Sequence, residues 1–276
     1  MRHILSTHLF VDQRLTAALL DRILRSGIQE VELFCARQHL DYRNSNQIQE
    51  LGHWFRDSEL KVHSVHAPMF SDDVWGRTGP QSTISLTEPS KAKRIAATDE
   101  IKRALEVAET IPYRYLVQHL GVPHEEYSEA KADAAFNSLD ELSIFARQRG
   151  VQILLENIPN DLSTAERLNY FVESTHLPLF FCFDTGHANI GRGVQYEFEL
   201  MKNRIRSTHI HDNDGKADNH VFPLAGNGGT IDWESTMGLL RSADSDTPLL
   251  LELMHVAEMA NPLDEVKKAF DHLERL

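Results

Sequence analysis

The sequence predicts a single (β/α)8 barrel that spans residues 1–276, with a doubly wound open sheet as the alternative fold. Eight short apolar segments recur along the 276 residues, and a longer segment with helical spacing of its apolar positions follows each one. No stretch rich in Pro, Gly or Ser divides the chain. We therefore expect one domain whose active site lies at the carboxyl ends of the strands.

The predicted strands are short runs of apolar and β-branched residues, and most of them end in a polar residue. They cover residues 4–10, 30–34, 61–66, 115–119, 152–156, 179–184, 205–211 and 248–253. The predicted helices lie near 15–26, 46–57, 90–109, 129–149, 164–173, 195–202, 233–241 and 262–275. The two longest connections, 67–89 and 212–232, follow the third and seventh strands at the end where a barrel builds its active site.

Composition and charge exclude several classes of function. The chain has 28 Lys and Arg against 41 Asp and Glu, a net charge of −13, which disfavours a nucleic-acid partner. The two cysteines, Cys35 and Cys182, are too few for a disulfide framework and favour a reducing, cytoplasmic compartment. No uninterrupted apolar run reaches the ~18 residues of a membrane span. We expect a small-molecule substrate, and the composition leaves homo-oligomerisation open.

Residues that can bind metals end six consecutive predicted strands, from the third to the eighth. In chain order, with the loop after the seventh strand included, they are His66, His119, Glu156, Asp184, His187, His209, His211, Asp218, His220 and Glu252. Each one alone could be a hydrogen-bonded rim residue or a helix cap. Together they would converge at one mouth, where so many buried polar groups would be costly without a cation. A donor set of imidazoles and carboxylates favours Zn²⁺, Mn²⁺ or Fe²⁺, with zinc or manganese as the expected cofactor.

Five short motifs carry a family resemblance from about the third strand to the eighth: Val65-His-Ala-Pro, Leu154-Leu-Glu-Asn, Asp184-Thr-Gly-His, His209-Ile-His-Asp-Asn and Leu251-Glu. They resemble the xylose-isomerase-like TIM barrels, which join sugar and sugar-phosphate isomerases and epimerases to endonuclease IV, or AP endonuclease family 2. For the isomerase branch, the resemblance implies one metal held by Glu156, Asp184, His209 and Glu252, with the two glutamates moving protons. For the endonuclease branch, it implies up to three metals, usually zinc, with Glu156 as a bridge. The additional ligands there are His66, His119, His187, Asp218 and His220.

The pair Asp218 and His220 favours the multinuclear arrangement, because a mononuclear epimerase does not need them. We therefore predict phosphoester hydrolysis of a small, sugar-like, phosphorylated substrate by a metal-bound hydroxide. The alternative is a sugar or sugar-phosphate isomerase or epimerase that uses one metal and the catalytic pair Glu156 and Glu252. Two further hypotheses stay open: an abasic-site DNA endonuclease and a non-catalytic barrel stabilised by metal.

Five residues are candidates for contact with the substrate. Alignment on Asp212 assigns metal ligation to His209, which leaves His211 for substrate contact or for support of a ligand, and the reverse assignment stays open. The other candidates are Arg192 and Lys216, two cations that follow the sixth and seventh strands, and Trp75 and Arg77 in the long third loop. Trp75 and Arg77 are equally typical of a solvated loop.

Overall fold

The computed structural model describes residues 1–224, 226, 228–243, 246–255 and 259–276. Its eight strands are all parallel and form one sheet. They are β1 (His3–Ser6), β2 (Glu30–Phe34), β3 (Lys61–His66), β4 (Tyr115–His119), β5 (Gln152–Glu156), β6 (Phe180–Asp184), β7 (Ile205–His209) and β8 (Leu249–Leu251). The strands follow chain order around the sheet, and β8 pairs with β1. This order leaves β7 and β8 at the two edges of the sheet. A single parallel bridge between Ile210, just after β7, and Leu251 of β8 joins these edges, so the fold is a nearly closed (β/α)8 barrel.

Helices follow the strands and surround the barrel. They are α1 (Ala17–Arg25), α2 (Ser45–Arg56), α3 (Lys91–Glu106), α4 (Glu129–Arg147), α5 (Ala165–Thr175), α6 (Thr185–Ile190), α7 (Val194–Met201), α8 (Trp233–Ser242) and α9 (Pro262–Arg275). Side chains cap several amino ends: Thr16 accepts a hydrogen bond from the Leu19 N–H, and Asp232 accepts one from the Ser235 N–H. No helix in these described ranges is long and apolar enough to cross a membrane.

Side chains alternate between two cores along each strand. One face packs against the helices in the large outer core, with residues such as Leu116, Leu155 and Phe183. The other face points into the barrel, where Val117, Leu154 and Cys182 form a small inner cluster. This alternation also determines which strand-end side chains face the barrel interior. His119, Glu156 and Asp184 each lie two positions after a residue of the inner cluster, so they point inward as well.

Three strands end differently from the sequence prediction. The first was predicted over 4–10, but β1 ends at Ser6, and Thr7–Phe10 form a 3-10 turn because the Ser6 hydroxyl accepts a hydrogen bond from the His8 N–H. The seventh was predicted to reach residue 211, but β7 ends at His209. The eighth, predicted over 248–253, is shortened to Leu249–Leu251. The sequence also missed α6, whose amino end is capped by Asp184.

Candidate active site

The mouth of the barrel brings together all ten metal-competent residues that the sequence singled out. Their ligand atoms form overlapping sets, each with its members within 4.8 Å of one another. We name three of these sets by their chemistry. The carboxylate-rich group is Glu156, Asp184, His209 and Glu252; the bridging group is His66, His119 and Glu156; and the imidazole-rich group is His187, His211, Asp218 and His220.

In the carboxylate-rich group, three carboxylates surround one nitrogen of the His209 ring. His209 Nδ1 lies 3.1 Å from Glu156 Oε1, 3.2 Å from Glu252 Oε2 and 3.9 Å from Asp184 Oδ2. The three carboxylates come from β5, from the end of β6 and from the residue after β8, and all of them are buried. Three oxygen donors and one nitrogen donor therefore face a common point from different sides of the barrel.

Glu156 belongs to two groups because its two oxygens face in different directions. Oε1 faces His209 and lies 3.2 Å from His187 Nδ1. Oε2 lies 3.1 Å from His119 Nε2 and 3.5 Å from His66 Nε2. One carboxylate thus links the bridging group to the carboxylate-rich group, as expected of a residue that bridges two metal positions.

Histidines, rather than Lys or Arg, balance the buried carboxylates. In the described part of the chain, no Lys or Arg forms an ion pair with the three groups. Burial alone would raise the pKa of Glu156, but the charges of His209 and His119 hold it well below its ordinary value. Burial would lower the pKa of His220, yet the Asp218 carboxylate raises it to about 9. The neighbouring carboxylates likewise raise the pKa of His187 and His209, which favours the protonated form of these rings.

These donors fit a divalent metal. Ionised carboxylates buried among imidazoles are stable only when positive charge offsets them. In this arrangement protons on the histidines supply that charge, and a bound cation would displace them. The carboxylate-rich group and the imidazole-rich group each offer four converging ligand atoms, so the side chains could hold divalent metal ions at more than one position.

Glu32 is a site residue that sequence reasoning missed. It is fully buried inside the barrel on β2, and its two oxygens lie 3.1 and 3.2 Å from His209 Nε2. The Ser64 hydroxyl donates a hydrogen bond of 2.8 Å to the same carboxylate. One signal in the sequence indicated its position: an acid stands between two apolar residues of a predicted strand. Val31 and Leu33 face the outer core, so the side chain between them points into the barrel. Glu32 thus orients the histidine from the side opposite the carboxylate-rich group.

An aromatic wall borders the mouth on the β1–β3 side. His8, Phe34 and Trp75 pack together, with ring centroids 4.7 Å apart for His8 and Phe34 and 5.4 Å apart for Phe34 and Trp75. His8 also lies 5.0 Å from the His220 ring, and Phe34 lies 4.8 Å from the His66 ring. The buried atoms His8 Nδ1 and Trp75 Nε1 have no hydrogen-bond partner among the described residues. The wall therefore combines apolar faces with unused polar atoms beside the ligand groups.

None of the three predicted cations pairs with these groups. Arg192 pairs with Glu166 and stacks on Tyr196, and it lines a cavity that His187 also lines. Lys216 and Arg77 are exposed on their loops. No hydrogen bond or ion pair within the described ranges joins any of the three to the ligand groups. Their contact with a substrate stays a prediction, and Trp75 is the loop residue that the fold brings to the mouth.

The barrel is typical of an enzyme of the (β/α)8 class, and its ring of buried acids and imidazoles lies at the carboxyl ends of the strands. Residues 20–276 match the family described as xylose isomerase-like TIM barrel, and the chain belongs to that family. A curated relative from Natronomonas pharaonis, described as a probable endonuclease 4, is 28% identical over 149 residues. That match covers 49% of this chain and 52% of the relative.

Solved structures share the fold over nearly the whole chain. A D-tagatose 3-epimerase-like protein is 24% identical with a TM-score of 0.79, covering 100% of this chain and 96% of its own. The IOLI protein, solved with a binding zinc atom, is 18% identical with a TM-score of 0.75, covering 99% and 98%. At these identities the comparison establishes a common architecture. The epimerase-like match spans the full barrel, whereas the endonuclease match spans about half of it.

Proposed function

We propose that the protein is a metal-dependent isomerase or epimerase of a small sugar, with Glu156 and Glu252 as its proton-transferring residues. The observation that carries the proposal is the pair of carboxylates, from β5 and from the residue after β8, that approach the same His209 nitrogen at 3.1 and 3.2 Å. A substrate carbon held beside this point would have a carboxylate on each side. The full-length likeness to an epimerase-like barrel supports this assignment over the hydrolysis that the sequence favoured.

The residues supply each part of a proton transfer beside a carbonyl group. A divalent metal in the carboxylate-rich group would polarise the carbonyl and hydroxyl oxygens of the sugar. One glutamate then takes the proton from the carbon next to the carbonyl, and the electron pair moves onto the carbonyl oxygen. The other glutamate, which enters as the carboxylic acid, returns a proton. Return to the opposite face of the same carbon gives the epimer. Return to the former carbonyl carbon, with the proton of the neighbouring hydroxyl passing to the former carbonyl oxygen, gives the isomer.

The surroundings of the carboxylate pair suit a sugar without a phosphate. The aromatic wall offers ring faces for the C–H side of a sugar and two unpaired polar atoms for its hydroxyls. A cavity of about 270 Å³ opens beside His66 and His119, and most of its lining is apolar, including Pro68, Met69 and Ile84. Since no Lys or Arg lines this cavity among the described residues, a neutral ketose or aldose fits it better than a phosphorylated one.

Phosphoester hydrolysis is the second candidate function, because one observation favours it. The bridging group places His66 and His119 on the second oxygen of Glu156, which offers a further metal position next to the carboxylate-rich group. Two metals side by side are suited to in-line displacement at phosphorus. In the isomerase assignment these two histidines instead orient Glu156.

Solvent isotope exchange separates the two candidates. We expect the manganese-loaded protein, incubated in D₂O with a panel of ketoses, aldoses and their phosphates, to place deuterium on a substrate carbon, as read by NMR. Glu156→Gln and Glu252→Gln should each slow the exchange by about 10²–10⁴-fold, the usual contribution of a general acid or base. Glu129→Gln, on the outer helix α4, is the matched control and should exchange at the wild-type rate.

A different outcome in the same assays would favour hydrolysis. Release of phosphate or alcohol from a phosphoester panel, with no deuterium entering any sugar, would overturn the isomerase assignment in favour of hydrolysis.

A further inference from the structure

Three arginines lie at the amino ends of the strands, the end of the barrel opposite the mouth. Arg2 directly precedes β1, Arg114 directly precedes β4, and Arg206 is the second residue of β7. Two acids lie among them: Glu30 pairs with Arg2 at 2.8 Å, and the charge of Asp246 acts on the same surroundings. The arginines therefore outnumber these acids, although the chain as a whole has a net charge of −13.

Arg206 lies at an irregularity of the strand pairing. The ladder between β6 and β7 skips one residue after Phe181, so Arg206 is left without an opposite residue. Such a bulge bends the strand and re-aims the side chain of the extra residue. The guanidinium carbon of Arg206 lies 4.6 Å from the centre of the Phe180 ring, which packs against the inner cluster. The bulge thus places a cation beside the amino end of the barrel interior.

Arg114 stacks on the first residue of β4. Its guanidinium carbon lies 4.9 Å from the centre of the Tyr115 ring, and Tyr115 belongs to the inner cluster. Stacking occupies the flat face of a guanidinium and leaves the N–H groups at its edge free. In the described part of the chain, neither Arg114 nor Arg206 pairs with a carboxylate, and only Arg206 donates a side-chain hydrogen bond, to the Ile205 carbonyl. Most of their N–H groups are therefore available to a ligand.

The Tyr115 hydroxyl adds an unsatisfied polar group to the same place. Tyr115 is 2% exposed, and its hydroxyl has no hydrogen-bond partner among the described residues. Burial raises the pKa of this hydroxyl, whereas the charges of Arg114, Arg206 and Arg2 act in the opposite direction. All three guanidiniums are thus close enough to act on it. Buried polar groups are nearly always hydrogen-bonded, so an unpartnered one beside cations indicates a ligand.

His63 shows that the positive potential extends into the barrel. Its buried ring lies 5.2 Å from the Tyr115 ring, and its Nε2 lies 3.3 Å from the Ser207 hydroxyl oxygen. The pKa of His63 is lowered to about 4, first by burial and then by the charges of Arg2 and Arg114. The ring is therefore neutral, and the arginines supply the charge beside it.

We propose that this end of the barrel binds a phosphate group, held by Arg114, Arg206 and the Tyr115 hydroxyl. Phosphate oxygens accept paired hydrogen bonds from the planar edge of a guanidinium, and for this reason Arg is common at phosphate sites. A phosphate would satisfy the free N–H groups of both arginines and the buried hydroxyl at once. Arg2 is already paired with Glu30, so it contributes positive charge rather than a direct contact.

The phosphate site goes beyond the proposed function. It lies at the opposite end of the strands from the carboxylate-rich group, so a phosphate and a sugar can be bound at the same time. The mouth suits a neutral sugar, whereas the cations of the amino end select an anion. A ligand bound here is therefore not the substrate of the mouth.

Calorimetric titration of the full chain with inorganic phosphate tests the site. We expect one equivalent to bind, and the same affinity after the protein is treated with a chelator, because only a phosphate held by a metal at the mouth would be lost with the metal. Arg114→Gln and Arg206→Gln should each weaken binding about tenfold to a hundredfold, the effect of losing a hydrogen bond between charged groups. Arg206→Lys should also weaken it, since an ammonium group keeps the charge but not the planar edge.

Two further variants separate binding from structural roles. Arg22→Gln removes an exposed arginine of α1 with the same change of charge, and it should match wild type. Tyr115→Phe keeps the ring on which Arg114 stacks and removes only the hydroxyl, so it should weaken phosphate binding several-fold without loss of stability. Circular dichroism checks the fold of each variant. Should Arg114→Gln fail to fold, Arg206→Gln and Tyr115→Phe still test the site.

Two sources of the phosphate group are compared in the same titration. Tighter binding of glycerol 3-phosphate would assign the site to a small phosphorylated compound, tighter binding of inorganic phosphate would assign it to the free ion, and either result supports the site. No phosphate binding to the chelator-treated wild type would overturn the proposal. Equal affinities in wild type, Arg114→Gln and Arg206→Gln would overturn it as well, whereas absence of isomerase activity would not bear on it.

Discussion

Single side chains set the properties of this mouth, and Glu32 shows how. His209 faces the carboxylate-rich group through Nδ1 and Glu32 through Nε2. Because a carboxylate accepts the Nε2 hydrogen, the lone pair of Nδ1 is directed at the metal position. A buried acid one layer below the ligands thus determines which nitrogen of the ring can bind.

Replacing Glu32 should weaken metal binding without removing a ligand. We expect Glu32→Gln to lower the affinity for Mn²⁺ by about 10–100-fold, the usual effect of losing a carboxylate that supports a metal-binding histidine. Titration calorimetry on the metal-free protein measures it. Glu30→Gln is the control. Glu30 lies on the same strand, but it pairs with Arg2 at the amino end of that strand, which is the end away from the mouth. Equal Mn²⁺ affinities in wild type and Glu32→Gln would contradict this role.

Residue chemistry was the part of the site that the sequence revealed best. Each strand from the third to the seventh ends in an acid or an imidazole, and Glu252 directly follows the eighth. Glu32 was missed because it stands in the middle of its strand and not at the end, and the only signal for it there was its alternation with the apolar Val31 and Leu33. The destination of His211 was also hidden, since it depends on how the loop folds back over it.

At the scale of elements, α6 shows how a short helix can serve a site. It begins directly after Asp184, which caps it by accepting a hydrogen bond of 2.6 Å from the His187 N–H. One turn of helix therefore places His187 beside Asp184, with Gly186 between them to make room for the His211 ring. The residue that caps this helix is thus also a candidate metal ligand.

Gly186 gives a prediction about this element. Gly186→Ala should lower the free energy of unfolding by about 1–3 kcal/mol, because the new methyl group cannot share space with a buried imidazole. Gly238→Ala, in the exposed middle of α8 with nothing within 4 Å of the added carbon, should instead raise it by roughly 0.5–1 kcal/mol. Urea denaturation monitored by circular dichroism measures both. Shifts of the same sign would contradict the close packing of His211 on α6.

Element boundaries were predictable where the apolar run and the strand coincide. The strands β2, β3, β4 and β5 have the predicted bounds. The prediction for β1 was wrong because Leu9 and Phe10 are apolar for another reason: they pack into the outer core from a 3-10 turn. Apolar patterns report burial, and burial does not specify the backbone conformation.

At the scale of the whole molecule, the barrel brings residues that are far apart in the sequence into contact at one mouth. Glu32 and His209 are 177 residues apart in sequence and within 3.2 Å in space. The eightfold repeat of strand and helix was readable from the sequence, and so was the gathering of acids and imidazoles at the carboxyl ends of the strands. The division of ligands into an oxygen-rich group and a nitrogen-rich group was not, because it depends on the tilt and stagger of the strands.

The proposed function requires that Glu156, Asp184, His209 and Glu252 together hold a divalent metal. Anomalous diffraction at the manganese edge, from crystals of the protein reloaded with saturating Mn²⁺, would locate that metal. We expect a manganese peak bonded to all four side chains. A map with no peak among them, or with the four side chains turned towards different partners, would contradict it.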